Sequence, residues 1–302
     1  MPVSVVWWQQ TACGTLFLLI LLAAVFGNLL IITVATLDQR LHSPMYFFLK
    51  HLSFLDLWYI LVTLPKATVD SLTGSTSISF WGCVLQVFLV VALACTEMAL
   101  LTVMSYDRYV AICLPLHYEV IMSRGSCVSM VTCCWLSGGL SGVLHAATTF
   151  SLPLTASGEL HQFFCEIPQL LRLSCSDDYL AEVGAVAVTS SLSFICFLSI
   201  TLSYVHIFSA VVRIPSVKGQ SRAFATCIPH LATVTLFLGG AAMAYLKPVE
   251  EVPSAFSLLV SLFYTVVPPT LNPLIYSLRN KDMKAAVKKC IQITSLDSLS
   301  SG

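Results

Sequence analysis

Seven apolar segments, each long enough to cross a lipid bilayer, constrain this chain more than any other feature of its sequence. A membrane span needs about 20 mostly apolar residues, because the hydrocarbon core is about 30 Å thick and backbone polar groups must be satisfied internally. The segments cover residues 15–37, 45–64, 81–104, 127–150, 183–212, 223–246 and 255–278. They predict an all-α membrane protein built as a seven-transmembrane-helix bundle.

Composition agrees with a lipid environment. The chain is 57% hydrophobic and only 10% charged, whereas soluble domains carry about a quarter charged residues. Its net charge is zero, so no basic surface for nucleic acid is indicated and the lipid bilayer is the first expected partner. We expect one receptor-sized domain over residues 1–291, followed by a short cytoplasmic tail over 292–302.

The placement of basic residues predicts the orientation of the bundle. Lys and Arg are retained in short cytoplasmic loops, and twelve of the fifteen fall on one side if the amino end lies outside. The exceptions are Lys66, Arg172 and Lys247. The amino end is therefore predicted to lie outside and the carboxyl end in the cytoplasm. A cleaved signal peptide is a poorer interpretation of the first segment, which lacks a basic start and exceeds the usual apolar length of 7 to 15 residues.

Two segments outside the spans carry further expectations. The outer loop 151–182 contains Cys165 and Cys175 on the oxidising side of the membrane, where disulfides persist; it shows no evident secondary structure and is expected to fold back over the bundle. Residues 279–291 alternate basic and apolar side chains, which predicts a short amphipathic helix on the inner membrane surface. Cys290 at its end is either palmitoylated or a free thiol.

Four polar residues are predicted at a similar depth inside the spans. They are Asn28, Asp56, Glu97 and Asn272. Ionisable groups in a membrane are costly and usually functional, and two nearby carboxyl groups do not both ionise readily. Asp56 and Glu97 could therefore bind a sodium ion or share a proton; a hydrogen-bonded helix clamp without an ion is the alternative.

A second polar group ends the third span. Asp107 precedes Arg108, a side chain that is always charged, at the predicted cytoplasmic boundary. Such an ion pair can hold a cytoplasmic surface in one state and release it when the pair breaks. In the simpler interpretation, Arg108 only extends its charged end to the membrane surface.

Several sequence strings resemble known receptors. Residues 107–109 (Asp-Arg-Tyr) and 272–276 (Asn-Pro-Leu-Ile-Tyr) are similar to two signatures of rhodopsin-like G-protein-coupled receptors. Longer strings resemble odorant (olfactory) receptors specifically: 41–49, 104–113, Ser203-Tyr204, 222–227 with His230, and 273–280. The resemblance runs in order from residue 27 to about residue 289.

The resemblance implies a function and several roles. It implies a receptor that binds small volatile odorants within the bundle and activates a heterotrimeric G protein of the stimulatory olfactory type, which raises cyclic AMP. It implies a disulfide between Cys83 and Cys165. The residues it assigns to G-protein coupling and switching are Asp107, Arg108, Tyr109, Tyr204, Asn272, Pro273 and Tyr276.

The outer halves of the helices offer a mostly apolar lining with a few hydroxyl groups. Ligand pockets usually have this character, although each residue can equally serve helix packing. The candidate ligand-binding residues are Val87, Val90, Val91, Ala94, Thr189, Ala241, Tyr245 and Thr265.

The chain departs from the family pattern in three places. Thr155 stands where the family has a further outer-loop cysteine, so Cys175 lacks its usual partner. No Asn-x-Ser/Thr glycosylation sequence occurs, whereas the family normally carries an amino-terminal glycan, so surface delivery stays an open question for this chain. Leu238 replaces the usual Tyr below the ligand.

Other functional classes were weighed against the receptor. A transporter or channel predicts internal repeats and a polar path, and neither is visible. A non-signalling receptor relic remains open because of the missing glycosylation sequence and the unpaired Cys175. An enzyme is not indicated: the seven His show no metal-ligand spacing, and neither a Cys-x-x-Cys nor a Gly-rich phosphate loop occurs. No cofactor is expected.

Overall fold

The protein folds as a bundle of long helices. The computed structural model describes residues 3–73, 78–152, 165, 167–172, 180–246, 255–279, 283–290 and 292. Within these ranges no strand occurs. The helices are α1 (Val3–Leu37), α2 (Pro44–Thr73), α3 (Phe80–Cys113), α4 (Tyr118–Ile121), α5 (Arg124–Phe150), α6 (Ile167–Arg172), α7 (Leu180–Val212), α8 (Val217–Leu246) and α9 (Ala255–Arg279).

These helices confirm the predicted fold class. Six of them, α1, α2, α3, α5, α7 and α8, are long and apolar enough to cross a membrane. The seventh predicted span is the 25-residue helix α9. Residues 283–290 are also helical, with Met283 and Ala286 buried and Lys284 and Lys288 exposed, as expected for a short amphipathic helix after the seventh span.

The helices extend beyond the apolar segments that predicted them. α3 continues to Cys113, nine residues past its predicted end, and α2 continues through Pro65 to Thr73. Hydropathy detects only the part of a helix that lies in lipid, whereas backbone hydrogen bonding continues into the interfacial region. Asp107 and Arg108 are therefore helical residues of α3.

The outer loop was only partly predicted. The expectation of a loop without secondary structure over 151–182 was wrong in two places, because α6 occupies Ile167–Arg172 and α7 already begins at Leu180. Glu182 therefore lies in the first turn of α7. Thr155 and Cys175 lie outside the described residues.

Short capping interactions stabilise the loops at the predicted cytoplasmic end of the bundle. Asp38 accepts a hydrogen bond from the backbone N–H of Arg40 and forms an ion pair with its side chain. These contacts lower the pKa of the Asp38 carboxyl to about 2. Ser123 caps α5 by accepting from the N–H of Ser126, which begins the fourth span with a satisfied donor.

α3 is the central helix, in contact with α2, α5, α7 and α8. It approaches α5 closely at two glycines. A Cβ atom on Gly138 would lie 2.5 Å from the carbonyl oxygen of Ala92, and one on Gly142 would lie 2.7 Å from that of Phe88. Small residues allow this close backbone approach, which is typical of helix pairs in membranes.

Large apolar side chains face outward over much of the bundle. On α1, Leu19 and Phe26 are exposed, and on α7, Phe194 and Leu202 are exposed. The polar side chains described below are buried instead. This inversion of the usual soluble pattern suits a protein whose surface contacts lipid.

Candidate functional site

The polar residues predicted inside the bundle meet at the contact of α1, α2 and α9. Asn272 donates from Nδ2 to both carboxyl oxygens of Asp56, at 3.1 and 3.0 Å. Asn28 donates to the backbone oxygens of Ala24 and Pro269, at 3.0 and 2.9 Å. Thus Asp56 and Asn272 pair directly, whereas Asn28 joins α1 to the backbone of α9.

Glu97 completes this group from α3. Its side chain is buried, and it lies within electrostatic reach of Asp56 and Asn272. Oxygen atoms of Asn28 (Oδ1), Glu97 (Oε1) and Asn272 (Oδ1) accept no hydrogen bond from the part of the chain that the structure describes. Buried acceptors without donors require water, a proton or a cation. The arrangement is therefore compatible with a bound sodium ion and with a shared proton.

The inner end of the bundle, the end that carries Arg108, holds an ion pair. Arg108 donates from Nε and Nη2 to Oδ2 of Asp107, the Nε distance being 3.0 Å. The second oxygen, Oδ1, accepts from the phenol of Tyr118 on α4 at 2.8 Å. Burial beside Asp107 raises the pKa of Tyr118, so its phenol stays protonated and serves as a donor.

His230 joins three helices just above this ion pair. Its Nε2 lies 2.9 Å from the backbone oxygen of Leu101 on α3, and its Nδ1 lies 2.8 Å from the hydroxyl of Tyr204 on α7. A carbonyl oxygen only accepts, so Nε2 carries a proton; when the ring is neutral, Nδ1 accepts from Tyr204. The motif containing His230 was noticed in the sequence, but its contacts were not. A histidine within an otherwise uncharged span was the available signal.

The other predicted switch residues are distributed over α3, α7 and α9. Tyr204 and Tyr276 are buried, and both lie within electrostatic reach of Arg108. Tyr109 is half-buried, with its ring 5.9 Å from that of His206. Pro273 is buried in α9, beside Gly27 of α1.

A disulfide closes the opposite end of the bundle, which carries Cys83 and is called the outer end here. Cys83 and Cys165 are bonded, as predicted, with their Cα atoms 5.7 Å apart. Gln86, one turn further along α3, supports the same junction. Its Oε1 accepts from the N–H of Cys165 at 2.9 Å, and its Nε2 donates to the oxygen of Val62 at 3.0 Å. Gln86 was missed in the sequence because its partners are backbone atoms of distant residues.

The candidate ligand-binding residues are distributed along the outer half of the bundle. Val87 is fully buried beside the disulfide, in a cluster with Leu170. Thr265 is buried with its Oγ1 unbonded among the described groups, and Thr189 bonds to α5. The half-buried members are Val90, Val91, Ala94 and Ala241. The side chain of Tyr245 lies outside those described.

A buried polar cluster between α5 and α7 was not predicted. Nδ1 of His145 lies 2.8 Å from Oε1 of Glu182, and Nε2 lies 3.1 Å from the hydroxyl of Thr189. The hydroxyls of Thr148 and Thr149 donate to the other oxygen of Glu182. Each of these bonds joins residues more than thirty positions apart, so the periodicity of the sequence could not reveal them.

These features define an integral membrane protein with seven membrane-spanning helices, whose polar residues lie inside the bundle and at its inner end. The model of the olfactory receptor family matches residues 17–293. Olfactory receptor 14L1 of Homo sapiens is 56% identical over 283 residues, 94% of this chain and 87% of that protein. Olfactory receptor 14J1 of Homo sapiens is 54% identical over 282 residues, 93% of this chain and 88% of that protein.

The chain belongs to the olfactory receptor family. It is therefore a multi-pass plasma-membrane receptor and not an enzyme, as its sequence predicted. Membership implies odorant ligands and coupling to a G protein. The ligand chemistry and the type of G protein are separate questions.

Proposed function

We propose that this receptor binds small, weakly polar volatile molecules in the outer half of the bundle and activates a stimulatory G protein of the olfactory type, raising cyclic AMP. The amino end lies outside in this proposal, in agreement with the basic residues on the opposite side. The observation that carries the proposal is the bonded network at the inner end, where His230 holds α8 against α3 and α7.

This network supplies a resting state that can be opened. Arg108 is occupied by Asp107, and Asp107 is held by Tyr118. If the inner end of α8 moves away from α3, His230 loses the oxygen of Leu101 and Tyr204 loses His230. Arg108 is then uncovered in this proposal and can exchange Asp107 for a new partner. A ligand shifts such an equilibrium only by binding one state more tightly.

Odorant and G protein would both favour the open state. The odorant would contact the outer halves of α3, α7, α8 and α9, while the G protein would contact the surface uncovered around Arg108. Their affinities are then reciprocally linked, typically by about 5- to 150-fold. In this proposal Tyr204 and Tyr276 turn toward Arg108 in the open state, with Tyr109 and Pro273 next to them.

A cell assay tests this function directly. Cells expressing the receptor with an extracellular tag are exposed to a panel of hydrophobic and oxygenated volatiles, and both surface level and cyclic AMP are recorded. We expect a concentration-dependent rise in cyclic AMP for a subset of the panel. No response at a normal surface level would instead favour the non-signalling relic.

The proposed pocket predicts a separable loss of response. Val91→Phe or Ala241→Phe should raise the odorant concentration that gives a half-maximal response at least about tenfold at unchanged surface level, because an added ring fills space that the ligand needs. The matched control is Val188→Phe on α7, where the native side chain is 53% exposed on the bundle surface. Unchanged dose responses in both pocket variants would place the ligand elsewhere.

The buried carboxylates predict a dependence on sodium. In this proposal a sodium ion is held at Asp56 and Glu97 and favours the closed state. Odorant-stimulated nucleotide exchange on G protein, measured with receptor membranes, should become about fivefold less sensitive to odorant when choline is replaced by sodium. Asp56→Asn should remove this difference. Equal responses of the native receptor in both salts would favour the ion-free clamp.

A further inference from the structure

The hydroxyl hydrogen of Thr189 is committed within the protein. Thr189 lies on α7 with its Oγ1 3.1 Å from Nε2 of His145 and 3.0 Å from the backbone oxygen of Ala185. A threonine hydroxyl has one hydrogen and two lone pairs. Which neighbour receives the hydrogen depends on which ring nitrogen of His145 carries a proton, and the other nitrogen, Nδ1, contacts Glu182.

Each protonation state of the pair leaves Thr189 without a free hydrogen. If His145 is protonated at Nδ1 only, it donates to Glu182, and Nε2 accepts the hydrogen of Thr189. If Nε2 carries a proton, whether the ring is neutral or charged, it donates to Thr189, whose own hydrogen then points to the backbone oxygen of Ala185 or of Val186. In every case the hydrogen-bonding capacity that Thr189 has left is a lone pair, so it can accept a further hydrogen bond.

The pair is firmly held in place. His145 and Glu182 are 3% and 2% exposed, and the second oxygen of Glu182 accepts from Thr148 and Thr149. Buried polar groups that are fully bonded resist rearrangement, since breaking them leaves an unsatisfied group. Thr189 is itself 8% exposed, the largest exposure among the three linked side chains.

We infer that Thr189 acts as a hydrogen-bond acceptor in the odorant site, with His145 and Glu182 as its positioning residues, so that the receptor favours odorants bearing a hydroxyl group. This inference rests on the proposed function, in which Thr189 lines the pocket. An alcohol donates a hydrogen to Thr189; an aldehyde or an ether of the same chain has none to give. The other described pocket hydroxyl, Thr265, is unbonded within the described part of the chain and can serve either ligand type.

The test compares straight-chain alcohols with the aldehydes and methyl ethers of the same chain length. In cells expressing the native receptor, cyclic AMP should respond to alcohols at concentrations about three- to tenfold lower than to their ethers, the range of one neutral hydrogen bond. Thr189→Val should abolish this preference by weakening the alcohols alone, and Thr189→Ser should retain it. Ser191→Ala is the matched control, because that hydroxyl on α7 is exposed and bonded to Ala187.

The possible outcomes separate the inference from the proposed function. An equal loss for alcohols and ethers in Thr189→Val, at a measured normal surface level, would show a structural role and overturn the inference. So would a native receptor that prefers ethers or aldehydes; in both cases the odorant receptor function stands. A native receptor that reaches the surface and answers no volatile would overturn the proposed function together with the inference.

Discussion

Arg108→Ala is expected to abolish odorant-evoked cyclic AMP while surface level and odorant binding remain. In the structure the guanidinium is bound to Asp107, and its side chain is only 13% exposed, so it is a held group rather than a free surface charge. In the proposed open state it would provide the main new contacts for the G protein. Losing these contacts should weaken the coupling between odorant and G-protein binding at least about tenfold.

Two variants decide whether Arg108 has a particular role. Arg108→Lys keeps the charge but lacks the planar set of donors that binds both Asp107 and a later partner, so we expect partial signalling. Arg124→Ala removes an exposed cation from the start of α5 at the same inner face and should signal normally. Full signalling by Arg108→Ala would contradict the switch and leave the fold unaffected.

Gly138→Ala is expected to lower stability and surface expression strongly. The added Cβ would lie 2.5 Å from the carbonyl oxygen of Ala92 and 2.9 Å from the N of Thr96. Both are backbone atoms of the central helix α3, so neither can move aside as a flexible side chain does. Overpacking of this kind costs about 2 kcal/mol, which should lower the apparent Tm of the purified receptor by several degrees.

The adjacent residue provides a control for this prediction. Gly139→Ala makes the same chemical change one position later, where no described atom lies within 4 Å of the new Cβ. Because alanine also favours helix over glycine, its Tm should be unchanged or slightly higher. If both variants had the same apparent Tm, the close approach of α3 and α5 would not be the reason for glycine at 138. Thermal unfolding in detergent and cell-surface labelling measure the two effects.

The spans were predictable because a bilayer makes a strictly local demand. Every residue of a span must be compatible with hydrocarbon, and its backbone must be bonded within the segment. Apolar length alone therefore located the long helices but not all of their boundaries. α1 begins at Val3 and α8 at Val217, before the predicted spans, and α2 and α3 continue past the lipid. The Asp107 and Arg108 pair was also accessible, since the two residues are adjacent.

Other parts of the candidate site required the packed structure. Glu182 was assigned to a loop because a carboxylate is unfavourable in a span; it is tolerated in α7 because His145 and two threonines of α5 bond it. His230 likewise finds Leu101, 129 positions away. Such partners depend on how each helix is rotated about its axis and where it crosses its neighbours.

The glycines at 138 and 139 show this division most simply. Sequence by itself determined that both lie in a membrane-spanning helix, because that depends on the composition of the segment. Only the tertiary structure decided that Gly138 meets the backbone of α3 while Gly139 does not. Successive residues of a helix point about 100° apart, so the rotation of α5 against α3 separates two residues that are chemically identical.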